Sequence, residues 1–198
     1  MTSTQEAPTR RHTGAYAEML VSSVLGLIAS LVLSAEAITL AANPTASLSC
    51  DISSKSSCSV VGLSWQANLL GFPNAFLGLI AEPVVITVAI AALGGVRFPR
   101  WFMITAQAFY SIGFVFAYWL FYEAYFQIGA LCPWCLLVTV TTTLVFVSMT
   151  RVNLLDNNFG LSERAHERVT YWLRLGVDVW ISVLIIAIMA AMIILRYI

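Results

Sequence analysis

Residues 131–149 read LCPWCLLVTVTTTLVFVSM. The stretch carries no charge, and at 1.5 Å rise per residue its roughly 19 residues span about 28 Å, enough to cross the hydrocarbon core of a bilayer. A Cys-x-x-Cys dithiol, Cys132-Pro133-Trp134-Cys135, stands at its leading end. Proline suits a first helical turn, where its missing N–H costs nothing. The spacing therefore predicts a membrane helix with two thiols at its N-terminus. There the unpaired N–H groups and the positive end of the helix dipole stabilise a thiolate. The thiolate is the species that attacks a disulfide.

Four more apolar runs lie around it, near 20–42, 73–93, 101–122 and 177–195. The whole chain of 198 residues is 60% hydrophobic and 10% charged, against about 25% charged in soluble domains. Without water, backbone groups must be satisfied inside each segment, so these runs read as helices. The expectation is an all-α integral membrane protein, a four-helix transmembrane bundle plus a fifth transmembrane helix. Residues 1–18 read as a cytoplasmic tail and 19–150 as the catalytic core, with an external cysteine loop at 43–72. Residues 151–198 read as an amphipathic surface segment and the fifth span.

Charge placement gives the sidedness. Arg10, Arg11, Arg97, Arg100, Arg151, Arg164, Arg168 and Arg174 share one face, and only Lys55 and Arg196 fall on the other. The positive-inside rule makes the arginine face cytoplasmic. All four cysteines, Cys50, Cys58, Cys132 and Cys135, then lie on the external, oxidising face. The first span, longer than a signal-peptide core, is read as retained. Small residues Ser22, Ser23, Gly26, Ala29, Ser30 and Ser34 mark it for close helix packing.

Cys50 and Cys58 flank a serine-rich linker, and Val60 to Phe72 reads as a short amphipathic helix at the interface. Two thiol pairs on one face suggest electron transfer from an external thiol to something dissolved in the bilayer. Four cysteines allow three full pairings, which sequence leaves open. No metal site is expected, since neither histidine lies near the cysteines. No flavin or haem motif is visible, and a lipid-soluble quinone suits the setting. Asn74 is placed to donate to a quinone carbonyl. Phe72, Trp65, Phe76 and Tyr122 are candidate ring contacts, although aromatic residues here also suit an interfacial belt. Glu36, Glu82 and Glu123 are acids in or near the spans, where ionisable groups are costly. The rival reading is a non-enzymatic membrane protein with structural disulfides, and nothing suggests nucleic-acid binding.

The ordered set resembles the vitamin K epoxide reductase (VKOR) family over about residues 20–149. Cys50-Asp51-Ile52 through Ser57-Cys58-Ser59-Val60-Val61 resembles its loop-cysteine region. Phe72-Pro73-Asn74-Ala75 through Gly78 resembles the entry to its second helix, and Cys132-Pro133-Trp134-Cys135 its active-site dithiol. The resemblance implies a four-helix bundle around a quinone, menaquinone or ubiquinone. A thioredoxin-like or DsbA-like periplasmic partner would reduce Cys50. Cys58 would form a transient disulfide with Cys132, Cys135 would face the quinone, and Asn74 would contact its carbonyl. Bacterial members resemble generators of disulfides for exported proteins, which implies the bacterial inner membrane. Vertebrate members recycle vitamin K epoxide, which makes a vitamin K epoxide or quinone reductase the alternative of the same chemistry, and they carry tyrosine where this chain has Thr139. The fused thioredoxin-like domain of many bacterial members is not seen, so a separate partner is implied. Disulfide bond formation protein B uses similar logic with the two cysteine pairs in reverse order.

Overall fold

The computed structural model describes residues 12–53 and 55–197. Arg10 and Arg11, and Ser54 of the linker, lie outside the described residues. Among the described residues seven α-helices follow in order: α1 (Thr13–Ala42), α2 (Cys58–Gly62), α3 (Ala75–Leu93), α4 (Arg100–Tyr122), α5 (Pro133–Leu155), α6 (Glu163–Arg174) and α7 (Val177–Tyr197). Among the described residues, five helices are long and apolar enough to span a membrane: α1, α3, α4 with its continuation to Ile128, α5 and α7.

The first helix is central and packs along both α3 and α5, while α4 packs on α5. Its small residues Ser22, Ser23, Gly26, Ala29, Ser30 and Ser34 are all buried. They let the backbones approach, which is how helices associate where lipid is as apolar as leucine. A close approach is at Gly78 of α3, where an added Cβ would strike the side chain of Ser30. Polar side chains tie α4 to α5. Gln107 donates to Thr150 Oγ1 at 3.1 Å, and Asn153 donates to Gln107 Oε1 at 3.1 Å.

The four core helices therefore form an open arc in the order α3, α1, α5, α4. The two ends of the arc, α3 and α4, do not pack along each other. Among the described residues one side-chain hydrogen bond crosses the gap, from Tyr110 of α4 to Glu82 of α3 at 3.2 Å.

The fifth membrane helix, α7, packs on α5. Tyr125 donates to the carbonyl of Met192 at 3.0 Å, and the Arg196 guanidinium sits 4.5 Å from the Tyr125 ring centre. The chain from Val60 to Phe72 departs from the single amphipathic helix expected of it. It forms the end of the short α2 and a 3₁₀ turn at Trp65–Asn68, separated by Leu63-Ser64. These pieces roof the arc at the cysteine end. Pro73 precedes α3, whose N-cap is Asn74.

Candidate active site

The site is built on the N-terminus of α5. Cys132 is its N-cap, Pro133 its first residue, and the Cys132 sulfur accepts the Cys135 N–H at 3.3 Å. Cys132 is buried and Cys135 half-buried, and both are free thiols. Cys132 precedes the span, and its pKa is lowered. The Cys135 thiol is the main cause, aided by the N–H groups of Cys135 and Trp134 and opposed by burial and by Glu36. A sulfur released from a mixed disulfide benefits from that shift, because a thiol of lower pKa leaves faster.

Cys50 and Cys58 are joined in a disulfide. The loop that carries them is pinned to the residue before Cys132. Ser57 donates its N–H to the Leu131 carbonyl at 3.0 Å, and Leu131 donates to the Lys55 carbonyl at 2.9 Å. This short parallel bridge between Ser56 and Leu131 sets the two cysteine pairs side by side. The Cys58 and Cys132 sulfurs lie 3.1 Å apart.

Asp51 holds the loop from within. It accepts the N–H of Leu48 at 2.8 Å, the N–H of Ser59 at 3.0 Å and the Ser57 hydroxyl at 2.7 Å. Burial alone would push its carboxyl up. The hydrogen bonds outweigh that and hold it well below the usual carboxylate range. Ser57 in turn caps α2, its Oγ accepting the Val60 N–H at 3.2 Å.

Glu36, on α1, brings Oε1 to 3.2 Å from the Cys50 sulfur. A disulfide sulfur carries no proton, so a hydrogen bond there needs a protonated carboxyl as donor. Ligand atoms of Glu36, Cys50 and Cys58 converge within 4.8 Å. The disulfide ties up both sulfurs, and the metal ligand is a thiolate.

Below the cysteines lies a cavity of about 650 Å³, walled by all four core helices and roofed by the cysteine loop. Pockets that bind drug-sized ligands measure roughly 300–1,000 Å³. Cys58, Cys132 and Cys135 reach its wall, and Asn74 and Glu82 do too, whereas Cys50 does not. Its aromatic lining comes from Phe102, Phe109, Tyr110, Phe116 and Phe121 of α4. The other sequence candidates stand away from it. Trp65 packs against Trp119, Phe72 against Phe76 and Tyr122 against Phe126, and none of Trp65, Phe72, Phe76 or Tyr122 lines the cavity.

Asn74 is oriented by the roof. Its amide nitrogen donates to the Gln66 carbonyl at 2.6 Å, and its Oδ1 is buried without a protein partner. Gln66 also donates to Glu123 Oε2 at 3.1 Å. Thr139 lies in the wall with its hydroxyl given to the Cys135 carbonyl at 3.0 Å. Sequence reasoning passed over Gln66 and Asp51 as site residues. The signal for Asp51 was its place beside Cys50, followed by serines able to donate to it.

The family model for the vitamin K epoxide reductase family matches residues 17–150. The chain belongs to that family. VKOR members are oxidoreductases, and the family indicates membrane quinone and thiol oxidoreductase activity. No curated protein matches the chain. The matched segment covers α1 to most of α5, so it includes both cysteine pairs and the cavity, and it ends before α6 and α7.

Proposed function

We propose that this VKOR-family protein is a thiol:quinone oxidoreductase that oxidises a thioredoxin-like partner and passes the electrons to a quinone in the cavity. The observation that carries the reading is the continuous path of sulfurs: Cys50 bonded to Cys58, Cys58 3.1 Å from Cys132, and Cys135 on the cavity wall.

Each step is a thiol–disulfide exchange. A partner thiolate attacks Cys50 and releases the Cys58 thiolate. Cys58 attacks Cys132 of an oxidised Cys132–Cys135 pair and releases Cys135. The second partner thiol frees Cys50, and the partner leaves oxidised. Cys50 then attacks Cys58, restoring their bond and releasing Cys132. The dithiol now holds two electrons beside the cavity. This end state has the same bonding as the structure, a loop disulfide with two free active-site thiols.

A quinone fits the residues present. The walls are mostly apolar; Asn74 Nδ2 has a second N–H beyond the one given to the Gln66 carbonyl, able to donate to a quinone carbonyl, and the two buried oxygens without a protein partner, Asn74 Oδ1 and Glu82 Oε2, can accept from a quinol hydroxyl. When bound, a quinone supplies a two-electron, two-proton acceptor. Asn74 would hold one end of it, with Phe109 and Phe116 against the ring. Thr139 spends its proton on backbone, which favours a quinone over an epoxide substrate that needs a donor there.

In this reading residues 19–150 form the catalytic core, and 151–198 add a surface helix and an outer span. The cysteine end faces the exported side of a bacterial inner membrane and the arginine end the cytoplasm, by the positive-inside rule. The test is quinone reduction by the purified protein with a reduced thioredoxin-like protein as donor. Turnover should require both reagents and all four cysteines. A single fixed disulfide pattern with no quinone-dependent turnover would show a structural role instead.

A further inference from the structure

Glu82 is 4% exposed, yet it stands on the cavity wall at about mid-depth of α1, facing Gly26. Its Oε1 accepts the Tyr110 hydroxyl and its Oε2 has no protein partner. Buried unsatisfied oxygens are rare and call for a reason, and ionisable groups at membrane depth are functional by default. Eight residues separate Asn74 from Glu82 on α3, a rise of roughly 12 Å. That is about the length of one quinone ring with a hydrogen bond at each carbonyl.

A file of oxygens leads from Glu82 toward the arginine end. Ser22 and Ser23 of α1 are buried, four and three residues before Gly26 and so on its face. Ser23 Oγ has no protein partner. Ser22 donates to Glu18 Oε1 at 2.5 Å, and Glu18 Oε2 is again buried and unpartnered. Glu18 lies in the second turn of α1, near the end where His12 pairs with Asp156 at 3.1 Å. Three orphaned oxygens, on Glu18, Ser23 and Glu82, thus line one route. Tyr110 from α4 is the titratable group bonded to Glu82, Glu18 of α1 lies within electrostatic reach of that tyrosine, and α5 presents the hydroxyls of Thr141 and Thr142.

We propose that Glu82 is a proton-transfer site that feeds the cavity from the arginine end, so that turnover carries charge across the membrane. The inference rests on the reading of the cavity as a quinone site. Closing the Cys132–Cys135 disulfide gives up two electrons and two protons, and conversion of a quinone to a quinol takes up two of each. Glu82 gives a proton to the cavity and regains one through Ser23, Ser22 and Glu18. A thiol proton leaves at the cysteine end, and the balance is one proton displaced from the arginine side to the cysteine side.

The test uses proteoliposomes holding quinone and a pH indicator in the lumen. A membrane-impermeant reduced peptide dithiol added outside drives only molecules whose cysteine end faces out. The lumen should become alkaline during turnover. Glu82→Gln, which can still accept from Tyr110, should lower quinone reduction at least tenfold and abolish the lumenal change. Dithiol reduction of the Cys50–Cys58 bond without quinone should be unaltered in that variant, which reports an intact fold. Without turnover, the infrared band of a protonated buried carboxyl should shift when quinone is added and be missing in Glu82→Gln. If the unmodified protein reduces quinone with no lumenal change, or Glu82→Gln keeps both rate and proton uptake, the inference fails while the quinone reading survives. If the unmodified protein reduces no quinone, that reading falls and the inference with it.

Discussion

The sulfur of Cys58, already bonded to Cys50, lies 3.1 Å from the sulfur of Cys132. Contact that close brings two cysteines 74 positions apart in sequence into range of exchange without any large movement of the loop. With Cys50 and Cys135 both replaced by alanine, neither competing partner remains. Mild oxidation should then join Cys58 to Cys132 nearly completely, seen as a cross-linked peptide under non-reducing mass analysis. Cys135→Ala alone should bring quinone reduction down to background, since the remaining thiol cannot close the pair.

Asp51 gathers three hydrogen bonds and is held ionised. Its folded-state pKa is below the unfolded value of about 3.9. Its stabilisation is therefore fully present above that value and is lost as pH falls through the lower folded-state value. Amide protection at Leu48 and Ser59 should hold as pH is lowered to 4 and collapse only in stronger acid. Asp51→Asn should lose roughly tenfold in that protection at neutral pH, because hydrogen bonds to a charged acceptor become hydrogen bonds to a neutral one. Hydrogen exchange reads both.

Gly78 and Ser30 meet where α3 touches α1. Gly78→Ala should cost about 1–3 kcal/mol by overpacking, seen as a lower melting temperature in detergent. Adding Ser30→Gly to the same protein should recover most of the loss, because it removes the Cβ and Oγ that the new methyl would strike.

Gly113 lines the cavity from α4, and a Cβ there would meet nothing within 4 Å. Gly113→Trp should therefore fold and fill the cavity side of the gap between α3 and α4. The expected result is at least a tenfold rise in KM for quinone, with unaltered dithiol reduction of the loop disulfide.

The parts of this architecture that sequence reveals are those with a directional signal. Pro133 after Cys132 marks a helix start, and Cys132 is found at the cap. The small residues from Ser22 to Ser34 mark a packed face, and they are buried. Apolar helices in lipid carry no comparable signal, because the lipid-facing and cavity-facing sides are equally greasy. Nothing in the order of residues therefore distinguishes Phe109 and Phe116, which line the cavity, from Trp65 and Tyr122, which do not. Asn74 is conspicuous beside Pro73, but its partner, the Gln66 carbonyl, depends on how the roof folds back. The Ser56–Leu131 bridge is equally hidden, since it joins a serine-rich linker to a residue in an apolar run.

The gap left by the arc of α3, α1, α5 and α4 runs between two helices of membrane length, α3 and α4, so it flanks lipid along the side of the molecule. A prenylated molecule arriving there keeps its tail in hydrocarbon throughout and crosses no water. Its supply is then set by mole fraction in the bilayer and by lateral diffusion. Catalytic saturation should follow the quinone-to-lipid ratio of a vesicle, unchanged when the volume of buffer around it is doubled.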